Sequence, residues 1–516
     1  MKRIRAFIEE NIIFSLVFAE MIIYYGVSMF VIKPWYDELY TYYSFISKGP
    51  IYAAIHWPLP NNHVLYSVLS AFFNYLGNSY IGLRGVSFLA ACANMMLLYR
   101  LARRFFAPFS SAGVVFLYVA VWQVNNLSVQ GRGYTLATTF YLIALLCLCR
   151  ICGEQVRKWD YIIFALALTG GLYTLPSSTY WVIPVCIAGG ITLLILKRFK
   201  TLWRLIAASS VAAVVTLGLY AIIWLAIGSN LLSKDASGIY YGIYQVKIIL
   251  KAPLEALRTG LDYMLSTPYI QSEERGYVVK ELFHYLKGTF DLFYENLGAV
   301  LIVLLVIGCV VAIVKLCHMG SDKEDGKCLF YVYLIVSVIM LPVMLVIQSV
   351  QPYYRVFSFF AVPVSLMIVW LVRLVLEKIQ HHDQEKLESA EKWGCMFFLL
   401  FAFLTLCGSS YHTQYADRET EIAEIFAGHT EDLQSCFYMD DYQKYVLKFY
   451  YDKEPEEVAL TEAQYILFPK VVHNRQKQVA EWPTLYTHDE LDTAYIRENF
   501  VLVGESENYE LYQKME

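Results

Sequence analysis

The sequence predicts a polytopic α-helical membrane protein with a small α/β domain at its C-terminus, and two observations carry that reading. Of 516 residues, 58% are hydrophobic and only 17% charged, against about 25% charged in soluble domains. Several uncharged runs also reach the roughly 20 residues that a helix needs to cross the hydrocarbon core, among them 205–227, 300–314 with its flanks, and 330–347. Basic residues supply the orientation, because they gather in short segments: Lys2, Arg3 and Arg5; Arg100, Arg103 and Arg104; Arg150, Arg157 and Lys158; Lys197, Arg198, Lys200 and Arg204; Lys323 and Lys327; Lys378, Lys386 and Lys392. Under the positive-inside rule these segments are cytoplasmic.

Placing every basic segment on one side gives spans near 10–32, 81–100, 109–124, 133–150, 161–174, 180–196, 205–227, 296–316, 329–350, 356–376 and 393–410. That is about eleven crossings of the cell membrane, with a cytoplasmic N-terminus and an extracytoplasmic C-terminus. A cleaved signal peptide is not expected, since Glu20 interrupts the first apolar run and no small-residue cleavage site follows it. The run 64–76 is short for a crossing. Val64, Leu65, Val68, Leu69, Phe72 and Phe73 recur at helical spacing, which fits a helix lying in the membrane plane. A second in-plane helix starts at Asp37, with Leu39, Tyr42, Tyr43 and Ile46 on one face and Gly49-Pro50 as its stop.

The chain therefore divides into a transmembrane domain over 1–410 and a soluble extracytoplasmic α/β domain over 411–516. The first carries an external loop over 33–80 and a larger one over 228–295. In the second, short apolar runs at 436–439, 465–468 and 500–503 alternate with polar helical stretches. All of the 11 cysteines except Cys436 fall in spans or cytoplasmic loops, so no disulfide framework is expected. Cys147, Cys149 and Cys152 read as small buried apolar residues rather than as metal ligands. A net charge of −4 gives no reason to expect nucleic acid as a partner.

Charged and polar residues in the short outer loops mark the candidate site. They are Asp37 and Glu38 after Trp35-Tyr36, His56, the run Pro60-Asn61-Asn62-His63, Arg84, the run Gln130-Gly131-Arg132-Gly133-Tyr134, and Gln351-Pro352-Tyr353-Tyr354-Arg355. Each has a plainer reading: Asp37 as a helix cap, Trp35 and Tyr36 as belt aromatics, Arg132 and Arg355 as snorkelling arginines, His63 as a structural residue. Their coincidence on one face is what carries weight. A lipid-phosphate sugar donor places its phosphate at headgroup level and its sugar just above. An enzyme using it needs an arginine at that depth for the departing phosphate and a carboxylate to take the proton of the incoming hydroxyl.

In their order and spacing these motifs resemble the GT-C superfamily of membrane glycosyltransferases. The motifs are Asp37-Glu38 after the first span, Asn61-Asn62-His63-Val64-Leu65-Tyr66, Leu83-Arg84-Gly85-Val86-Ser87 before a helix ending at Arg103-Arg104, and Arg132-Gly133-Tyr134 opening a later span. The nearest kin resemble the protein O-mannosyltransferases and the aminoarabinose transferases that modify lipid A. The likeness covers roughly residues 1–200 and continues more loosely through Tyr354-Arg355. It implies a polyprenyl-phosphate-linked sugar as donor, an acceptor hydroxyl on a lipid, protein or wall polymer at the outer face, and inversion at the anomeric carbon.

The resemblance also implies roles. Asp37 matches the catalytic acidic residue and Glu38 its companion, and Arg84 and Arg132 match positions near the donor phosphate; the outer-face residues themselves add Arg355 as an expected phosphate contact and His56, Asn62, His63, Tyr134 and Tyr354 as expected substrate contacts. The chain departs where relatives carry Lys-Pro-Pro-Leu or His-Pro-x-Leu and this sequence reads Asn62-His63-Val64-Leu65, so a lysine contact to phosphate is missing. Members differ in their use of a divalent metal, and the residues leave that open. The competing reading is a transporter or flippase of a lipid-linked saccharide; such proteins show repeated halves and broken spans, and no internal repeat is evident here. Tyr240, Tyr241 and Tyr244 are candidate sugar-stacking platforms.

Overall fold

The computed structural model describes residues 10–56, 62–154, 156–227, 275–319, 325–379, 417–429, 437–438, 441–453, 458–469, 492–507 and 509–515, with isolated residues between 246 and 258 and between 389 and 396. Its membrane part runs α1 (Ile12–Val31), α2 (Tyr36–Ser44), α3 (Pro50–Ile55), α4 (Val64–Asn74), α5 (Ser79–Ala102), α6 (Pro108–Val119), α7 (Trp122–Val129), α8 (Tyr134–Ile151), α9 (Lys158–Thr174), α10 (Thr179–Ile195), α11 (Phe199–Ile227), α12 (Arg275–Asp291), α13 (Gly298–Cys317), α14 (Asp325–Gln348) and α15 (Ala361–Ile379). The C-terminal part contributes α16 (Asp417–Phe426), β1 (Phe437–Tyr438), α17 (Asp441–Tyr451), β2 (Tyr465–Pro469), α18 (Thr493–Asn499), β3 (Phe500–Glu505) and β4 (Tyr509–Lys514).

Eight of these helices are long and apolar enough to cross a membrane, or nine when α6 and α7 are taken as one bent span. Each expected span up to residue 376 falls on a helix, while 393–410 lies outside the described residues. α9 has 17 residues, about 26 Å of helix against a hydrocarbon core of about 30 Å. The count of eleven is therefore not reached among the described residues. Val64–Asn74 forms a separate 11-residue helix rather than a crossing.

The single span expected over 109–124 is broken, with α6 and α7 meeting at 71°. The first N–H groups of a helix have no partner within it. Here Trp122 donates to the Phe293 carbonyl (3.1 Å) and Gln123 to that of Leu292 (3.2 Å), so the kink leaves these two donors satisfied, as a low-dielectric surrounding requires. Gly49, at φ +96°, takes a left-handed conformation that separates α2 and its one-turn extension from α3, which Pro50 opens.

The C-terminal part folds as a four-stranded sheet in the order β1-β2-β4-β3. β1 runs parallel to β2, and the other pairs are antiparallel. Its helices bury Ile422, Phe426 and Leu447 against Leu39 of α2. Tyr240, Tyr241, Tyr244, Asn61 and Cys436 lie outside the described residues.

Candidate functional site: an aspartate between two arginines

Pro34 ends the first helix, and Trp35 turns the chain into α2, where the Trp35 N–H donates to Glu38 Oε2 (3.2 Å). Successive helical residues point about 100° apart, so Asp37 and Glu38 face different neighbours. Glu38 is fully buried and takes a two-pronged contact from Arg84, Nε to Oε1 at 2.7 Å and Nη2 to Oε2 at 2.8 Å. The Gly131 N–H also donates to Oε1 (2.5 Å). Arg84 turns its remaining nitrogen to the last carbonyls of the first helix, Met29 (3.0 Å) and Ile32 (2.5 Å). One ion pair thus ties α1, α2, α5 and the loop before α8 together.

Asp37 faces the other way, 4% exposed. Its Oδ2 accepts from Arg355 Nη2 at 3.2 Å and lies 3.7 Å from Arg132 Nη2. Arg355 also donates through Nε to the Tyr134 hydroxyl (3.1 Å). Its guanidinium lies between two rings, 4.4 Å from the centroid of Tyr353 and 5.2 Å from that of Trp35. Trp35 is buried in this contact, which corrects its reading as a belt aromatic. Arg132 donates through Nη1 to Thr41 Oγ1 (2.8 Å) and to the Asp37 carbonyl (3.3 Å).

His63 completes the cluster, and its hydrogen bonds define its tautomer. The Gly133 N–H can only donate, and it lies 2.8 Å from His63 Nδ1, so Nδ1 carries the lone pair and Nε2 the proton. Nε2 sits 3.3 Å from Arg132 Nη2. Two donors therefore converge where a shared acceptor oxygen fits. Burial, then the nearby Arg132 and Arg355, hold the His63 pKa well below its ordinary value, which keeps the ring neutral at pH 7.

The remaining expected residues divide. Tyr134 belongs to the cluster through Arg355 and packs edge-on against His63 (5.1 Å). His56 stacks on Tyr52 at 3.5 Å. Asn62 donates to the carbonyls of Ala53 and His56 and accepts from Ser67 (2.7 Å), bolting α3 to α4. Tyr354 turns from Asp37 to Tyr285 of α12 (5.3 Å). Sequence reasoning missed Thr41 and Glu419. Thr41, four residues after Asp37 on the same helix face, carried a signal; Glu419, whose Oε1 accepts from the Tyr36 N–H at 2.9 Å, lies 383 residues away and carried none.

Among the described residues, no three His, Cys, Asp or Glu side chains gather as metal ligands. The donor set agrees with that. A cation at Asp37 would meet two guanidinium groups already within 4 Å of the same oxygen, and Glu38 is engaged by Arg84.

The fold and site together describe a multi-pass membrane protein with a buried aspartate–arginine cluster at one end of its helices. No protein-family model and no curated protein matches the chain. Among solved structures it is similar to ArnT from Cupriavidus metallidurans bound to undecaprenyl phosphate, at 12% identity and a TM-score of 0.45 over 96% of this chain and 97% of that one. It is also similar to the oligosaccharyltransferase AglB from Archaeoglobus fulgidus in complex with an inhibitory peptide and a dolichol-phosphate, at 13% identity and a TM-score of 0.46, over 85% of this chain and 66% of that one. A third similar structure is the Archaeoglobus fulgidus oligosaccharyltransferase in complex with Zn and sulfate (13%, TM-score 0.44), of which the chain spans 65% of the length. At these values the likeness assigns no residue.

Proposed function

We propose that this chain is a glycosyltransferase that moves a sugar from a polyprenyl-phosphate-linked donor to an acceptor hydroxyl, with Asp37 as general base and Arg132 and Arg355 holding the phosphate. One observation carries the reading. A single buried carboxylate oxygen, Asp37 Oδ2, stands 3.2 Å from Arg355 and 3.7 Å from Arg132 Nη2, and that same nitrogen lies 3.3 Å from His63 Nε2. A carboxylate with two guanidinium groups and a neutral imidazole donor supplies both halves of the chemistry, proton acceptance and anion stabilisation.

In the reaction the acceptor oxygen bonds to the anomeric carbon from the face opposite the phosphate. The bond from that carbon to the phosphate oxygen breaks, and its electron pair stays on the phosphate. The acceptor proton passes to Asp37. Charge grows on the phosphate as it leaves, where Arg132, Arg355 and the His63 Nε2–H donate. Arg84 and Glu38 take a different part, as the strut that fixes the turn carrying Asp37. The Asp37 face, with the C-terminal α/β unit beside it, is assigned to the outer side and the arginine-rich helix ends to the cytoplasm.

The test is turnover of synthetic polyprenyl-phosphate sugars by protein in lipid nanodiscs, followed as release of polyprenyl phosphate with a glycosylated product. Asp37→Asn is expected to lower kcat by about 10²–10⁴-fold. Undiminished turnover in a folded Asp37→Asn protein would remove the base assignment.

A further inference from the structure

Two adjoining cavities lie at the other end of the helices that bear the aspartate cluster. α5 carries Arg84 near its start and Arg100 in its last turn, about 24 Å along the helix at 1.5 Å per residue, with Arg103 and Arg104 just beyond its end. α8 likewise runs from Tyr134 to Arg150. One cavity, of about 360 Å³, is lined by Arg100, Arg103, Arg104 and Arg150 with Asn11 and Tyr99. The other, of about 500 Å³, shares Arg104 and Arg150 and adds Arg157, Glu154 and Asp160. Both volumes suit a small polar group.

The charge is not balanced locally. Five arginines line the two cavities against three carboxylates, Glu10, Glu154 and Asp160. Asp160 is itself engaged, accepting from the Arg157 N–H at 2.9 Å and from Arg150 at 3.4 Å. Arg150 remains 56% exposed on its side chain. Arg100 and Arg104 are exposed and make no ion pair with a described residue. Guanidinium groups left in this way match the oxygens of a phosphate. Beside the groove, α9, whose N-cap Arg157 and first-turn Asp160 belong to the lining, turns Trp159, Ile162 and Leu166 outward as an exposed apolar strip.

We propose that this groove binds the phosphodiester headgroup of an anionic phospholipid, whose acyl chains lie along the outward face of α9. The shared chemistry is a phosphate oxyanion. The apolar strip on α9 favours a lipid over free phosphate, and basic pockets between membrane helices are the recurrent setting for such headgroups. The site stands apart from the aspartate cluster and does not depend on its proposed chemistry.

The full-length protein in nanodiscs of phosphatidylcholine, with or without phosphatidylglycerol, can be released and its retained lipids counted by native mass spectrometry. The expected result is preferential retention of phosphatidylglycerol, reduced about tenfold in an Arg100→Gln/Arg104→Gln double variant. That pair leaves the Arg150–Asp160 contact intact, and Arg157→Gln provides a second, independent variant. Equal retention of both lipids, or undiminished phosphatidylglycerol binding in all variants, overturns the proposal. Displacement by millimolar inorganic phosphate without any preference between the two lipids assigns the groove to free phosphate and overturns the lipid assignment.

Discussion

Lysine in place of Arg355 would keep the positive charge and lose the geometry. The guanidinium bonds Tyr134 through one nitrogen and Asp37 through another while lying between Trp35 and Tyr353, and an ammonium is a point charge that cannot do all three. Arg355→Lys is expected to lower kcat/KM by about tenfold or more, measured in the nanodisc assay; wild-type kinetics would show that charge alone suffices. His63 gives a pH test. Folded His63 has a lowered pKa, whereas the unfolded side chain titrates near 6.5 (about). Its contribution to stability is therefore complete above the unfolded value and is lost as pH falls from there through the folded value. The melting temperature should drop on acidification below about pH 6.5, and His63→Asn, which offers an amide oxygen to the Gly133 N–H and cannot titrate, should flatten that drop. An unchanged acid slope in His63→Asn would locate the sensitivity in other groups.

At the scale of the element, the loop Gln130–Gly131–Arg132–Gly133 decides where Arg132 sits, because both glycines lie against other segments. A Cβ on Gly131 would collide with the Leu83 side chain and come within 3.1 Å of the Leu83 carbonyl oxygen, while one on Gly133 would come within 2.8 Å of Thr174 and 3.1 Å of His63. Ser87 of α5 holds the same loop by donating to the Gln130 carbonyl (2.6 Å). Gly131→Ala is expected to cost about 1–3 kcal/mol, read as a lowered melting temperature by intrinsic fluorescence; a stability equal to wild type would mean that the loop shifts freely. The motif Gln-Gly-Arg-Gly-Tyr was visible in the sequence, and so was its coincidence with Asp37 and Arg355. Which acid meets which arginine was not, because a one-residue step along α2 turns a side chain by about 100°. That step separates Glu38, locked to Arg84, from Asp37, held between Arg132 and Arg355. The break between α6 and α7 was hidden for a related reason: its satisfied donors use carbonyls of Leu292 and Phe293, far along the chain, and hydropathy records no such partner.

Across the whole molecule, apolar composition made the membrane class and most helices legible. How the C-terminal unit meets the membrane part depends on contacts between distant segments. Leu39, fully buried, packs among Ile422, Phe426 and Leu511, and the buried Glu419 accepts from the Tyr36 N–H. A carboxylate at the first turn of α2 both satisfies an orphan donor and complements the helix dipole, so the C-terminal unit holds the helix whose second residue is Asp37. Glu419 is on this argument a positioning residue. Glu419→Ala should lower kcat severalfold while leaving KM for the lipid donor near wild type, because Arg132 and Arg355 stay in place and the base shifts. Glu419→Gln, which keeps an amide oxygen for the Tyr36 N–H, should restore most of the rate. A raised KM for the lipid donor with unchanged kcat, or a Gln variant no better than Ala, would show that the C-terminal unit acts on the substrate rather than on the placement of α2.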